Sequence, residues 1–278
     1  MSTAAELLRA SGLPRLEARV LLMHVLGWRR TELITRDREP LSEDAVASFE
    51  ALSARRLAGE PIAQLTGGRE FFGLDFDVTP DVLIPRPETE LLVETALEAI
   101  ADTPNARVLD LGTGTGAIAV SVAHARPDAR VWAVDRSPAA LDVARGNADR
   151  LLDPARAGGT LTFVQSDWTA NLDASLLFET IVSNPPYIAS GDPHLEQGDL
   201  RFEPRGALTD EADGLSAIRT IVETAPFLLA SNGALWLEHG YDQADAVRQL
   251  LKARGFTEVR SMRDLAGIER CSGGRFTA

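Results

Sequence analysis

The sequence predicts an α/β fold preceded by a small all-α domain, and two patterns support this. Beyond residue 89, short apolar runs that suit buried strands alternate with longer amphipathic stretches that suit helices. The runs are RVLDL (107–111), VWAV (131–134), LTFV (161–164), TIVS (180–183) and ALWLE (234–238). This alternation is typical of repeated βα units and a mostly parallel sheet. The N-terminal part shows helical spacing instead, so the two parts differ in structural class.

The helical domain is expected over residues 1–72. Its apolar residues recur at steps of three and four, with a break at Pro40; they are Leu16, Val20, Met23, Leu26, Val46, Phe49, Leu52 and Leu57. Residues 73–90 are expected to be a hairpin-bearing linker, because alternating apolar positions are followed there by glycine and proline. The α/β domain is expected over residues 91–278.

Composition limits the classes of function. The chain has 278 residues, of which 45% are hydrophobic and 25% charged, so it can bury a substantial core. No apolar stretch has the length of a signal peptide or a membrane span, so we expect a cytoplasmic protein with no membrane association. Cys271 is the single cysteine, and the four histidines lack metal-site spacing, so neither disulfides nor a metal centre is expected. We take a monomer as the default.

The net charge of −13 bears on nucleic-acid binding. An acidic surface repels a phosphate backbone, and binding along a duplex requires clustered lysine and arginine. The charge therefore lowers the expectation of direct nucleic-acid binding without removing it.

A glycine-rich turn follows the first predicted strand of the α/β domain. The stretch VLDLGTGTGAIAV (108–120) leads from a strand through Gly112, Thr113, Gly114, Thr115 and Gly116 into a helix. Glycines permit a sharp turn and a close approach of the backbone to a ligand. A turn with a purely structural role is the alternative for this loop taken alone.

Asp135 strengthens the ligand hypothesis. It ends the run VWAVD, 23 residues after Gly112, a separation that suits a carboxylate accepting hydrogen bonds from ribose hydroxyls. The glycine spacing is G-x-G-x-G, whereas dinucleotide folds use G-x-G-x-x-G to seat a pyrophosphate. S-adenosylmethionine is therefore favoured over NAD as cofactor.

Asp167 and Trp168 end the next run, FVQSDW (163–168). Asp167 could accept a hydrogen bond from an adenine amino group, and Trp168 could flank the purine ring. A capping aspartate and a core tryptophan are the alternatives.

The stretch SNPPYI (183–188) follows a fourth strand. Two successive prolines can neither continue a central strand nor enter a helix interior, so this is a stiff loop. The side-chain carbonyl of Asn184 and the backbone carbonyl of Pro185 provide two acceptors, and Tyr187 adds an aromatic wall. Such a site suits a planar –NH₂ group, whose nitrogen is a poor nucleophile until it is oriented toward an electrophilic methyl group. A simple N-P-P turn is the alternative.

These motifs resemble those of class I S-adenosylmethionine-dependent methyltransferases that modify amino nitrogens. The resemblance narrows to the HemK/PrmC family, the release factor glutamine methyltransferases, over almost the whole chain. The stretches that carry it are PIAQLTGGREFFGLDFDV (61–78), LIPRPETELLV (83–93), FEPRGALTDEADGL (202–215) and DLAGIER (264–270). It implies a Rossmann-like, seven-stranded, mostly parallel sheet after the helical domain. It also implies methylation of the side-chain amide of the glutamine in the Gly-Gly-Gln loop of peptide chain release factors.

The resemblance also implies site residues. The cofactor site falls on residues 112–116, Asp135 and Trp168, with Asn184 bordering the methyl donor. The substrate site falls on Asn184, Pro185, Pro186 and Tyr187, where the Asn184 side chain and the Pro185 carbonyl hold the glutamine amide. The helical domain is expected to help grip the release factor.

Three other positions are left open by the resemblance. Arg86 and Glu88 either contribute to the pocket or form ion pairs at a hinge. His239 stands in LEHG where LEIG is expected, and we interpret it as a packing change.

Three other functions are weighed. A methyltransferase acting on DNA adenine or ribosomal RNA would use the same N-P-P-Y loop, but the acidic charge and the lack of a basic, aromatic-interleaved face speak against it. A non-catalytic S-adenosylmethionine-binding protein would not need an intact acceptor loop. A nicotinamide-dependent oxidoreductase would need different glycine spacing.

Overall fold

The computed structural model describes residues 2–155 and 158–277. The chain divides into two compact units. The N-terminal unit comprises Met1–Gly68 with Glu196–Phe202, and the sheet unit comprises Arg69–Leu195 with Glu203–Ala278. The first unit therefore includes a segment distant in sequence, which a division into consecutive domains does not anticipate. The predicted domain limits (1–72, 73–90 and 91–278) stay a prediction.

The N-terminal unit is helical. Its helices are α1 (Ala4–Ala10), α2 (Arg15–Leu26), α3 (Arg30–Thr35), α4 (Glu43–Leu57) and α5 (Ile62–Thr66). Local signals define their ends: Thr3 and Glu6 form a capping box at α1, Ser42 caps α4, and Gly27 ends α2 in the left-handed conformation.

The apolar face of the helices differs in part from the predicted one. Leu21, Leu22 and Phe49 are in the core, but Leu16 is 75% exposed and Leu57 is 61% exposed. Leu16 and Leu57 both lie at helix ends, where the apolar spacing of the sequence continues beyond the part of the helix that packs against the core.

The segment Glu196–Phe202 is tied to the helices of its unit by polar contacts. Arg56 donates to Asp199 over 2.8 Å and to Glu17 over 2.8 Å. Gln64 donates to the carbonyl oxygen of Phe202 over 3.0 Å. Two short 3₁₀ helices, Pro193–Glu196 and Gly198–Phe202, occupy this part of the chain.

The sheet unit begins with a hairpin. Strands β1 (Gly68–Phe71) and β2 (Leu74–Asp77) are joined by Phe72 and Gly73, which both have positive φ, as a two-residue hairpin turn requires. The strands thus begin five residues before the predicted linker.

A seven-stranded sheet forms the centre of the unit. The strands are β3 (Arg107–Leu111), β4 (Arg130–Asp135), β5 (Thr160–Gln165), β6 (Phe178–Ser183), β7 (Leu229–Glu238), β8 (Thr257–Arg263) and β9 (Glu269–Phe276). Their order is β5-β4-β3-β6-β7-β9-β8. β9 runs antiparallel to both of its neighbours, β7 and β8, whereas the pairs from β5 through β7 are parallel. The remaining helices are α6 (Glu90–Ala99), α7 (Ala117–Ala125), α8 (Pro138–Leu151), α9 (Arg205–Leu208), α10 (Ser216–Thr224) and α11 (Ala244–Arg254), with 3₁₀ turns at Pro87–Thr89 and Ala225–Phe227.

Both faces of the sheet are buried. Val108 belongs to the apolar cluster on one face and Leu109 to the cluster on the other, because successive side chains of a strand point to opposite faces. This explains the continuous apolar runs of the central strands. Because β3, β4, β5 and β6 run parallel, their carboxyl ends lie at one edge of the sheet, where parallel sheets bind ligands. Across residues 2–155 and 158–277, none of the helices has the length and apolar character to traverse a bilayer.

Candidate active site at the carboxyl edge of the sheet

The glycine-rich loop after β3 is held by backbone hydrogen bonds to β4. The amides of Gly112 and Thr113 both donate to the carbonyl of Val134, over 2.8 and 2.9 Å. Gly116 caps α7 with a φ of 81°, and a Cβ there would lie 3.1 Å from the Cβ of Ala144. Gly116 therefore permits both the turn and the close packing of α7 against α8.

Asp135 lies beside this loop at the end of β4. Its Oδ2 accepts from the amide of Gly114 over 3.0 Å, and its Oδ1 accepts from the amide of Ser137 over 2.9 Å. A carboxylate has about four acceptor positions, so each oxygen can still accept a bond from a ligand hydroxyl.

Asp110 supports the loop from below. It is fully buried, and its Oδ2 accepts from the Thr113 hydroxyl over 2.7 Å and from the Ala119 amide over 3.2 Å. Its other oxygen has no hydrogen-bond partner among the residues described. Burial raises the pKa of Asp110 to about 7, with the nearby charge of Asp135 adding to the increase.

Trp168 faces the glycine loop from the segment after β5. Its ring comes within 3.6 Å of the position that a Cβ on Gly112 would take, and its backbone has a φ of 48°, which is unusual for a large residue. The ring also packs against an apolar cluster of the sheet, so it serves as a wall and as part of the core. Asp167, beside it, is exposed.

Asn184 follows β6 on the same edge. Its side-chain nitrogen donates to the hydroxyl of Thr89 over 3.1 Å, and Thr89 is buried in the 3₁₀ turn before α6. Because the –NH₂ group is engaged in this way, the side chain can offer its carbonyl oxygen to the cavity that it lines.

Tyr187 and Glu238 form a buried pair behind this loop. The tyrosine hydroxyl donates to Oε1 of Glu238 over 3.3 Å, and Glu238 is 1% exposed at the end of β7. Burial raises the pKa of Glu238 to about 7, and the charge of Glu88 raises it further, while nearby Thr89, the hydrogen bond from Tyr187 and the charge of Arg270 oppose the shift. Burial and the charge of Glu238 raise the pKa of Tyr187 well above its usual value, so the phenol stays a donor.

A third buried carboxylate joins two segments that border the cavity. Glu203 pairs with the guanidinium of Arg86 and accepts from the amide of Ile84 over 2.9 Å. Arg86 thus lines the cavity and forms an ion pair, which combines the two roles left open for it. Pro204, Gly206 and Ala207, which follow Glu203 in the chain, also line the cavity.

One cavity is lined by most of the predicted site residues. Its volume is about 220 Å³, whereas one water needs on the order of 10–15 Å³ by the same measure, so it admits an organic ligand. The predicted residues that line it are Gly112, Thr113, Gly114, Thr115, Asp135, Asp167, Trp168, Asn184 and Pro186. Within the part of the chain described, Gly116, Pro185 and Tyr187 are outside this lining. The contributions of Pro185 and Tyr187 to a substrate site stay predictions.

Two family models match the chain. The PrmC N-terminal domain matches residues 1–67, and the methyltransferase small domain matches residues 87–198. A protein of Burkholderia pseudomallei (strain K96243), named release factor glutamine methyltransferase, is 71% identical over 274 residues, covering 99% of this chain and 96% of that protein. The chain belongs to the release factor glutamine methyltransferase family.

More distant members of this family are also similar along the whole chain. The release factor glutamine methyltransferase of Escherichia coli (strain K12) is 46% identical over 269 residues, covering 97% of this chain and 95% of that protein. Among solved structures, a methyltransferase from Pyrococcus furiosus has a TM-score of 0.54 at 20% identity and covers 81% of this chain and 98% of its own. That likeness shows the fold.

Membership of the release factor glutamine methyltransferase family confirms several predictions. The family, the class I methyltransferase fold with a mostly parallel seven-stranded sheet, and the assignment as a methyltransferase enzyme are all confirmed. The predicted activity also agrees with the name that its relatives carry.

The structure places three residues at the site that the sequence motifs did not predict. Thr89 and Glu238 lie beside Asn184 and Tyr187, and Glu203 lies beside Arg86. Each comes from a stretch that was noted only for its resemblance or its strand pattern. A carboxylate at the end of an otherwise apolar strand, as in ALWLE, is the one signal that could have identified Glu238.

Proposed function

We propose that this chain transfers the methyl group of S-adenosylmethionine to the side-chain amide nitrogen of the glutamine in the Gly-Gly-Gln loop of peptide chain release factors. The names of its relatives support the substrate class. The observation that carries the proposal is the hydrogen bond from Asn184 to Thr89, because it leaves the Asn184 acceptor for an –NH₂ group at the cavity. The proposed site of action is the cytoplasm, and the enzyme is proposed to act as a monomer.

The residues of the cavity fit S-adenosylmethionine. Asp135 has acceptor capacity left for ribose hydroxyls, and the wall of Trp168 suits a purine ring. Asp167, exposed at the rim, is proposed to accept from the adenine amino group. At Gly114 no atom lies within 4 Å of where a Cβ would stand, so the backbone is open to a ligand on that side. Bound there, S-adenosylmethionine supplies an electrophilic methyl group.

The proposed chemistry needs orientation more than it needs a base. The lone pair of an amide nitrogen is delocalised, so the nitrogen is a weak nucleophile. The side-chain oxygen of Asn184 and the backbone carbonyl of Pro185 are proposed to accept hydrogen bonds from the two N–H groups of the substrate amide. These bonds orient the nitrogen toward the methyl group and stabilise the positive charge that develops on it. The new N–C bond forms as the bond between the methyl group and the sulfur of the donor breaks. The amide proton becomes acidic at that stage and can leave to water.

The N-terminal unit is proposed to help bind the release factor. It is a separate compact unit with its own apolar core, and the PrmC N-terminal domain model matches it over residues 1–67. Its role would be to recognise the intact protein substrate, while the sheet unit carries the cavity.

The test is mass spectrometry of a purified, unmodified release factor after incubation with the enzyme and S-adenosylmethionine. We expect one methyl group on the Gly-Gly-Gln peptide. Asn184→Ala should reduce the rate by about 100-fold, since an oriented acceptor in a closed site contributes on the order of 3 kcal/mol. The matched control is Asp142→Ala, on the exposed side of α8, which should keep the wild-type rate.

Two outcomes would contradict the proposal. Labelling of DNA or RNA without labelling of the release factor would keep the chemistry and overturn the substrate. A normal rate for Asn184→Ala would remove this side chain from the mechanism.

A further inference from the structure

We propose that Gln243 is a positioning residue: its side-chain amide holds the far end of the acceptor loop, residues 184–187, and so aims the Pro185 carbonyl at the substrate. The inference rests on the proposed function, in which that carbonyl receives one N–H group of the glutamine amide. Gln243 is the N-cap residue of α11 and, among the residues described, is outside the cavity lining. It therefore acts through the loop rather than from the cavity.

The middle of the acceptor loop offers the fold no backbone donor. Pro185 and Pro186 lack an N–H group, so this part of the loop cannot be held as a strand or a helix is held. The loop has an anchor at its start, because the side chain of Asn184 donates to Thr89 over 3.1 Å. The Pro185 carbonyl lies beyond that anchor, so its direction depends on how the far end is fixed.

The side chain of Gln243 provides the second anchor. Its nitrogen donates to the carbonyl of Tyr187 over 3.0 Å and to the carbonyl of Gly214 over 3.3 Å. Its oxygen accepts from the amide of Gly240 over 2.8 Å. A half-turn rotation of the side-chain amide would set N–H against N–H and oxygen against two carbonyl oxygens. The surrounding backbone therefore fixes which end of the amide meets the loop.

The turn at Gly240 is a rigid base for Gln243. The carbonyl of Gly240 accepts from the amide of Gln243 over 3.1 Å and from Nδ1 of His239 over 2.9 Å. Burial lowers the pKa of His239, so the ring is neutral and its Nε2 accepts from the hydroxyl of Ser272 over 2.7 Å. His239, which the sequence suggested to be a packing change, thus also orders the turn that carries Gln243.

Gly214 lets a second segment approach the same carbonyl. Its φ is 79°, and a Cβ there would overlap the carbonyl oxygen of Tyr187 and come within 2.9 Å of Nε2 of Gln243. Only a residue without a Cβ brings its backbone this close. Asp210 fixes the turn around Gly214, because its carboxylate accepts from the amides of Gly214 and Ser216 over 3.0 and 2.6 Å. Gln243 thus bonds to two carbonyls that lie side by side.

The chain beyond the acceptor loop continues along this second segment. The amide of Ile188 donates to the carbonyl of Leu208, and the amide of Ser190 donates to the carbonyl of Ala212, each over 3.0 Å. Residues 188–190 therefore run beside residues 208–212. Gln243 holds the point at which the loop enters this pairing.

The two prolines transmit the position of Tyr187 to the Pro185 carbonyl. Proline fixes its own φ near −65°, and Pro185 is also restricted in ψ because it precedes Pro186. Few torsions therefore remain free between the two carbonyls, so a displacement of the Tyr187 peptide moves the Pro185 carbonyl as well. A misplacement of about 1 Å in a positioned group can lower a rate by about 100-fold.

The test compares wild type, Gln243→Glu, Gln243→Met and Gln249→Glu for methylation of the intact release factor, with the full-length enzyme at about pH 8. The glutamate carboxylate can still accept from Gly240, but it has no donor for the two carbonyls and repels them. We expect Gln243→Glu to lower kcat by about 10- to 100-fold, with KM for the release factor changed less than about 3-fold. Gln249→Glu makes the same change at an exposed position of α11 and should keep the wild-type rate.

Two further measurements separate positioning from a structural role. Calorimetry should give S-adenosylmethionine affinities within about 2-fold of wild type in all four forms, because Gln243 is outside the described cavity lining. A negative charge suits the start of a helix, so the melting temperature of Gln243→Glu should stay within about 3 °C of wild type. A change that only loosened the fold would lower affinity and melting temperature together with the rate.

The methionine variant adds a rank order. Methionine has nearly the length of glutamine but carries neither a donor nor a charge, so Gln243→Met should lower kcat less than Gln243→Glu does. A packing role predicts the reverse, because glutamate is the closer match in shape.

Hydrogen exchange reports on the loop without reference to activity. The amides of Ile188 and Ser190 are protected by their bonds to the facing segment. Gln243→Glu should speed their exchange by about 10-fold, and the amides of β6 should exchange as in wild type. Exchange at wild-type rates in this variant would mean that Gln243 does not hold the far end of the loop.

The outcomes distinguish the inference from the function on which it rests. If the wild type methylates the release factor while Gln243→Glu keeps its kcat, or Gln243→Met loses more than Gln243→Glu, the inference is overturned and the function stands. If the wild type transfers no methyl group to the release factor, the proposed function fails and the inference falls with it. Should Gln243→Glu fail to fold, a wild-type kcat for Gln243→Met overturns the inference, and a lowered kcat at unchanged S-adenosylmethionine affinity supports it.

Discussion

The backbone amide of Gly114 donates to Oδ2 of Asp135 over 3.0 Å, so the carboxylate at the end of β4 holds the glycine loop that follows β3. Its other oxygen accepts from Ser137, at the start of α8. One side chain thus links two strand ends and a helix start before any ligand enters. Removal of Asp135 would both delete a ligand acceptor and loosen the loop that it supports.

Asp135→Ala is therefore expected to weaken S-adenosylmethionine binding by about 10- to 100-fold, since hydrogen bonds to a charged group contribute about 1.5–3 kcal/mol each. Isothermal titration calorimetry measures this directly. Asp142→Ala, which removes an exposed carboxylate from α8, is the control and should bind normally. An unchanged dissociation constant for Asp135→Ala would refute the ribose role.

Gly116 and Gly146 offer a matched pair for the role of the glycine loop in stability. A Cβ on Gly116 would meet Ala144 and Val120 at 3.1 and 3.2 Å, and φ is 81° there. Gly146 lies within α8, with no atom within 4 Å of its Cβ position. Gly116→Ala should lower the free energy of unfolding by about 1–3 kcal/mol. Gly146→Ala should raise it by about 0.5–1 kcal/mol.

Urea denaturation of both variants, followed by circular dichroism, measures the difference. Equal stabilities would mean that α7 and α8 can separate at Gly116 without cost, contrary to the packing described.

Glu203 is expected to stabilise the segments around the cavity. It is buried, pairs with Arg86 and accepts from the Ile84 amide. Glu203→Ala leaves both donors without this acceptor and should cost about 2–4 kcal/mol in the free energy of unfolding. Glu223→Ala removes the carboxylate of an exposed pair with Arg254 and should cost less than about 1 kcal/mol.

Thermal unfolding of the two variants tests this contrast. We also expect Glu203→Ala to weaken S-adenosylmethionine binding, because both segments that it joins border the cavity. Comparable melting temperatures for the two glutamate variants would show that the buried pair has no special weight.

The sheet could be predicted from the sequence where burial on both faces leaves an apolar run, as at Val108 and Leu109 in β3. Strands β8 and β9 were harder to predict. β8 is an edge strand with exposed polar residues, and β9 contains Gly273, where a Cβ would clash with Leu235 and Trp236 of β7. That glycine is required by the packing of a neighbouring strand, and such a requirement does not appear in a local pattern.

The candidate site also has one part that could be predicted from the sequence and another that could not. Motifs that are continuous in the chain, such as residues 112–116 and the loop at Asn184, could be predicted because strand ends of a parallel sheet share one edge. The partners of those motifs could not. Thr89 is 95 residues from Asn184, and Glu203 is 119 residues from Ile84. Only the folded chain brings such pairs together, because no local periodicity links them.

Asp110 should make stability depend on pH. Burial raises its pKa from 3.8 to about 7, so the folded protein holds this proton at pH values where the unfolded chain has lost it. The contribution of Asp110 to the free energy of unfolding is fully present below about pH 4 and is lost as the pH rises through about 7. Asp110→Asn cannot ionise and keeps an oxygen for the Thr113 hydroxyl and the Ala119 amide.

Urea denaturation at about pH 5, 6, 7 and 8 should therefore show the asparagine variant gaining on the wild type as the pH rises. A pKa difference of one unit corresponds to about 1.4 kcal/mol, so the relative gain should exceed about 1 kcal/mol. Asp142→Asn, at an exposed site, should track the wild type throughout. Parallel curves for Asp110→Asn and the wild type would mean that Asp110 ionises in the folded protein as easily as in the unfolded chain, and that its burial does not govern its charge.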